Sequence, residues 1–182
     1  MTLSNCAARA GWTRAAAALL ACAGCTGLAP ATVPAHRADA TALTTVAHVD
    51  LARYLGTWHE IARYPFAIQD RRCVRDTTAT YRQRTAQTIA VVNRCVQADG
   101  SAYAVDGVAW ILDPVTNAKL EVSFLPAWLR WLPLGRGDYW VIALAPDYDW
   151  VVIGEPRRRY LWILARRPQL EPATYEAIVA RL

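Results

Sequence analysis

Two cysteines, three histidines and several tyrosines are the side chains of this sequence best suited to chemistry. Cys95 stands in a strand-like segment and Cys73 just before another, His59 lies between Trp58 and Glu60, and His36 and His48 lie upstream. The histidines have no metal-ligand spacing, so no metal site is expected. No serine–histidine–carboxylate set carries a recognisable local motif, and there is no glycine-rich phosphate loop. His59 should point outward from its strand. If Cys73 and Cys95 are bridged, no nucleophilic thiol remains beside it. The reading is therefore not of an enzyme, and no cofactor is expected.

The elements that would position these side chains follow from the order of the chain. Residues 1–25 read as an export signal. Arg9 and Arg14 precede the short apolar run AAAALLACAG, which ends in small residues. Cys22, in LLAC, and Cys25, in CAGC, each resemble the acylated cysteine of a bacterial lipoprotein box, and both remain candidates. Neither is followed by aspartate, which by that resemblance favours the outer membrane over the inner one. An ordinary cleaved signal releasing a periplasmic protein is the alternative. Residues 26–47, rich in Ala, Thr and Pro, read as a tether, and 48–182 as one domain. No run of eighteen apolar residues occurs, so no transmembrane helix is expected. The formal charge is +5; without Arg9 and Arg14, 18 basic residues face 15 acidic ones. That balance is too weak and too evenly spread for a nucleic-acid partner.

The domain reads as all-β. Strands are expected near 57–66, 75–83, 88–96, 102–113, 117–125, 137–146, 149–155 and 159–166, joined by short turns such as QDRR, QADG, DPVTN and PDYD. Eight strands with hairpin-length links suit an antiparallel up-and-down β-barrel, whose closure removes exposed edges. EPATYEAIVARL should form a C-terminal α-helix packed outside, with Tyr175, Ile178, Val179 and Leu182 on one face. An exported chain with two cysteines in its domain should form one disulfide. If Cys73 faces Cys95 across the second hairpin, Ala79 faces Ile89 and Thr77 faces Val91. That register puts Ala79, Tyr81, Ile89 and Val91 on one inward face.

Three short strings now carry a resemblance. GTW (Gly56, Thr57, Trp58), PDY (Pro146, Asp147, Tyr148) and the late Arg166 resemble, in order and spacing, the three signature motifs of lipocalins. YLGTWHEIARYP and YLWILARRP look like the bacterial outer-membrane lipoprotein branch of that family. The resemblance implies that VDLARYL forms a 3₁₀ turn closing one barrel end. Trp58 would pack beneath that turn against Arg166, and Asp147 and Tyr148 would serve a structural turn. Relatives of that kind usually continue past the helix into a ninth strand lying against the first; this sequence ends at Leu182, which puts in doubt the homodimer contacts such a strand would make.

An eight-stranded barrel encloses room for one small ligand. Alternation places Ala62, Tyr64, Ala79, Tyr81, Tyr139, Val141, Tyr160 and Trp162 inward, of which Tyr64, Ala79, Tyr81, Tyr139, Tyr160 and Trp162 are the candidate ligand contacts. Aromatic and aliphatic walls with a few phenols suit an acyl chain with a polar head. A fatty acid or lysophospholipid is thus the expected partner, and the resemblance points the same way. The alternative is a barrel filled by its own side chains. In FLPAWLRWLPLGRG, residues 124–137, the side chains Trp128, Leu129, Trp131 and Leu132 crowd a loop at the expected open mouth. They suit contact with a membrane interface, or a lid folded over the barrel.

Overall fold

The computed structural model describes residues 42–182 except residue 133, so Cys22 and Cys25 lie outside the described residues. Period-two alternation in the sequence becomes eight antiparallel strands: β1 (Gly56–Arg63), β2 (Arg75–Thr85), β3 (Thr88–Val96), β4 (Ala102–Ile111), β5 (Lys119–Ser123), β6 (Arg136–Leu144), β7 (Trp150–Gly154) and β8 (Leu161–Ala165). Each pairs with its successor, and β8 pairs back onto β1 to close the barrel. Among the described residues three helices accompany it: α1 (Leu51–Tyr54), α2 (Ala67–Asp70) and α3 (Pro172–Val179). A 3₁₀ turn, Ala127–Leu129, interrupts the β5–β6 loop. No described helix is long and apolar enough to cross a membrane.

The apolar residues divide between two cores, as a closed sheet with one covered outer patch requires. Inside the barrel, Trp58, Ile89, Val91, Val141 and Ile153 are almost completely buried. Outside, Ile178 of α3 packs with Val152 of β7 and Ile163 of β8. The helix presents a narrower apolar face than expected: Tyr175, Val179 and Leu182 remain exposed, so of those four residues Ile178 alone is buried against the patch, which Leu170 also helps to cover. Residues read as tether already touch the barrel. The Val46 amide donates to the Val141 carbonyl at 2.9 Å, and Leu43 lies against Gly154.

The register of the second hairpin departs from expectation. Ala79 faces Asn93 and Tyr81 faces Val91, whereas a cross-strand cysteine pair would have set Ala79 against Ile89. The reason is that Cys73 lies before β2, in the β1–β2 loop, and reaches Cys95 from outside the ladder. The slip is by an even number of residues, so the faces survive and Ala79, Tyr81, Ile89 and Val91 all point inward.

Candidate functional site

One end of the barrel is closed by α1. Asp50 caps that helix, its carboxylate accepting from the Ala52 amide at 2.9 Å. The expected 3₁₀ turn is thus a single capped α-helical turn. Trp58 is fully buried beneath it, and its indole N–H donates to the Tyr54 carbonyl at 2.8 Å. The Arg166 guanidinium lies 3.8 Å from the centre of that indole and donates to the carbonyls of Thr57, Arg53 and Tyr54. It therefore satisfies the orphan carbonyls at the end of α1 while it stacks. Gly56 has φ +100°, a conformation that calls for glycine, while a Cβ there would make only ordinary contact with Arg166 at 3.4 Å. The β6–β7 turn holds the other side of the plug. The Tyr148 hydroxyl accepts from the Asp50 amide at 2.8 Å, Arg53 stacks over the Tyr148 ring, and Asp147 caps its own turn through the Asp149 amide.

Above the plug lies a cavity of about 660 Å³, open at the opposite end, a size typical of small-ligand sites. Ala79, Ile89, Val91, Leu120 and Val122 form its aliphatic wall. Its floor is a cluster of three tyrosines: Tyr54 and Tyr81 hydroxyls stand 2.6 Å and 3.0 Å from that of Tyr139. Burial is the main cause that raises all three phenols: Tyr81 is pushed up to about 12, and Tyr54 and Tyr139 rise well above the ordinary tyrosine value. They are neutral at physiological pH.

Of the candidate ligand contacts, Ala79, Tyr81, Tyr139, Tyr160 and Trp162 line this cavity, and Tyr64 does not. The β1–β8 register shifts between Glu60 and Ala62, which breaks the alternation. Beyond that bulge Ala62 joins the outer core and Tyr64 turns to solvent, 44% exposed. Phe66 takes the inward place, edge-on to Tyr160 at 5.2 Å. Phe66 shares the parity of Trp58, but it lies past the end of β1, at the N-cap of α2, where strand alternation no longer sets direction. Leu120 and Val122 were readable from KLEVS, while Tyr54 enters the cavity only because α1 folds back across the barrel end.

The mouth carries a lid and a charged rim. Helix α2 places Ile68 and Gln69 over the opening. Glu60, inward on β1, accepts from the Gln69 side chain at 2.6 Å and from Arg63 at 2.5 Å, while Arg63 also pairs with Asp70. The inward carboxylate is thereby satisfied, as a buried charge must be. The Cys73–Cys95 disulfide, Cα–Cα 5.5 Å, ties the lid segment to β3. The bridge spans 22 residues, so a Cys73→Ser/Cys95→Ser variant should lose about 3 kcal/mol of stability by loop entropy. Thermal melts of oxidised and doubly substituted protein check this, and coincident melts would refute it.

The β5–β6 loop stands at the same mouth, its ends at Phe124 and Gly135 reaching the cavity. Arg130 turns back to hold it, donating to the carbonyls of Leu125 at 2.7 Å and Asp106 at 3.0 Å. Trp128 and Trp131 are 73% and 75% exposed and line no part of the cavity, so the loop does not fold over the barrel. Leu129 and Leu132 are half-buried instead of projecting; Leu134 is the aliphatic side chain left exposed. Among the described residues no group of three or more histidines, cysteines or carboxylates is placed to hold a metal.

Comparison with known proteins agrees with this geometry. A family model for a lipocalin-like domain matches residues 49–182. The chain is 40% identical over 141 residues to temperature-induced lipocalin-1 of Arabidopsis thaliana, covering 76% of this chain and 74% of that one. It is 34% identical over 139 residues to outer membrane lipoprotein Blc of Escherichia coli (strain K12), covering 76% and 73%. Among solved structures, insecticyanin from the tobacco hornworm Manduca sexta superposes with a TM-score of 0.58 at 22% identity, over 76% of this chain and 74% of that one, a likeness of fold alone. With the GTW plug, the PDY turn and the stacking arginine all in one closed eight-stranded barrel, the chain belongs to the lipocalin family.

Proposed function

We propose that this protein is a lipid carrier of the bacterial envelope, binding a fatty acid or lysophospholipid and held at the outer membrane by acylation of Cys22 or Cys25. The observation that carries this reading is the mouth. An open cavity of about 660 Å³ with aliphatic walls lies beside a loop bearing two exposed tryptophans. Indoles favour the membrane interface, where the ring is buried and the N–H stays hydrated. A lipid leaving the bilayer there would enter the barrel across little water. The similarity to outer membrane lipoproteins of Escherichia coli, Citrobacter freundii and Vibrio cholerae supports the location. Each buried methylene contributes about 0.8 kcal/mol, so a long acyl chain offsets the freedom lost on binding.

Native mass spectrometry of the full chain purified from bacterial envelopes, with organic extraction, tests the carrier reading. A fatty acid or lysophospholipid at near one per chain is expected. Protein that carries none and takes up no fluorescent fatty acid would overturn the reading, leaving the tryptophan loop as a site for a protein partner. The loop has its own test. A Trp128→Glu/Trp131→Glu variant of the unacylated protein should bind phospholipid vesicles at least about tenfold more weakly, since each buried indole contributes 1 kcal/mol or more. Its melting temperature should not move, because both side chains are exposed. Unchanged cosedimentation with vesicles would remove the loop from the membrane.

A further inference from the structure

The floor of the cavity has a fixed hydrogen-bond balance. Three hydroxyls bring three protons, and the two contacts Tyr54–Tyr139 and Tyr81–Tyr139 use two of them. Whichever way the hydroxyls rotate, each contact takes one proton, so one O–H is left without an acceptor in the cluster. If both outer tyrosines donate inward, the spare proton is on Tyr139; if the bonds run in sequence, it is on Tyr54 or Tyr81. All three side chains line the cavity, and Tyr54 and Tyr81 are 3% and 5% exposed. The phenols hold their protons at any physiological pH, because burial pushes them all up. A buried donor without a partner is costly, and a methyl group resting on it would not provide one.

We infer that the three-tyrosine floor is a recognition site for a neutral oxygen at the buried end of the ligand. The ligand class is then an elongated apolar chain whose deep end carries a hydroxyl or carbonyl. A plain methyl-terminated tail fits less well. This rests on the carrier reading and narrows its ligand. A charged carboxylate suits the floor poorly, since the site offers it one donor and little solvent.

The balance has a further consequence. Any linked set of hydroxyls joined only end to end retains one spare proton, however many members it has. Changing a single tyrosine to phenylalanine therefore leaves at least one donor at the floor. Only the triple variant Tyr54→Phe/Tyr81→Phe/Tyr139→Phe removes it.

The experiment uses palmitoyl lysophosphatidylcholine and its ω-hydroxypalmitoyl analogue, with the matching lauroyl pair, titrated calorimetrically into the full chain. Their charged headgroups stay at the mouth, so the tails face the floor. The ω-hydroxy ligand of at least one pair should bind about tenfold more tightly, the range of one well-made buried hydrogen bond. Each single variant should retain that preference, and the triple variant should reverse it. Tighter or equal binding of both methyl-ended lipids by the unaltered protein overturns the inference and leaves the carrier reading standing. Absence of binding by every lipid overturns both. The comparison on unaltered protein decides the matter whether or not the triple variant folds.

Discussion

A Trp58→Ala variant should be destabilised by about 3–5 kcal/mol, the range for emptying a large aromatic site in a core. The indole is fully buried, its N–H is bonded to the Tyr54 carbonyl, and its face carries Arg166. Truncation leaves a cavity at the centre of the plug and removes the surface on which the guanidinium lies. Since a domain of this size has about 5–15 kcal/mol in total, the variant would keep a small margin at best. Trp58→Phe should cost less, because it retains most of the volume while losing the N–H. Denaturant titrations of both variants measure the difference. If Trp58→Ala unfolds with the same midpoint as the unaltered protein, the plug does not hold the barrel shut. An Arg166→Lys variant would separate charge from geometry, since an ammonium cannot span three carbonyls in one plane.

Ala79→Trp should abolish lipid binding while leaving the barrel folded. Ala79 pairs with Trp58 on β1 and Asn93 on β3, and its methyl group forms part of the lower cavity wall. An indole there occupies space that would otherwise hold acyl methylenes. Excluding four of them costs about 3 kcal/mol of transfer energy, on the order of a hundredfold in affinity. Because the added ring enters open space, the overpacking cost should stay below the 1–3 kcal/mol usual for a filled core. Ala104→Trp, on the exposed outer face of β4, is the matched control and should bind as the unaltered protein does. Displacement of a fluorescent fatty acid reads both. Undiminished binding by Ala79→Trp would place the ligand outside the barrel.

How much of this was legible in the residues depends on the range of the signal. Alternation in β3, TIAVVNRCV, put Ile89 and Val91 inward without error, because a half-buried strand must place its apolar residues on one face. The GTW plug was legible for a different reason. GTW, PDY and the late Arg166 resemble the lipocalin motifs in order and spacing, and the resemblance implied the packing that the structure shows, with Gly56 at a positive φ and Arg166 over the Trp58 indole. The mouth loop was legible as a cluster of apolar side chains, although which of them project was not. Backbone turns at Ala127–Leu129, held by Arg130, half-bury Leu129 and Leu132 and leave Trp128 and Trp131 outside.

Through the resemblance it carries, the sequence implied the plug; by itself it determined the strand count, the antiparallel order and the cysteine partners. Each is written in local periodicity, in turn residues or in a pair with no other partner in the domain. Tertiary structure alone decided the bulge that expels Tyr64 and admits Phe66, the slipped hairpin register and the lid held by Glu60. It also decided the meeting of three hydroxyls from α1, β2 and β6 at one point. These depend on how the barrel closes, since closure sets which distant residues share a layer. No run of neighbouring residues encodes that spacing, and the ligand chemistry of the floor follows from it.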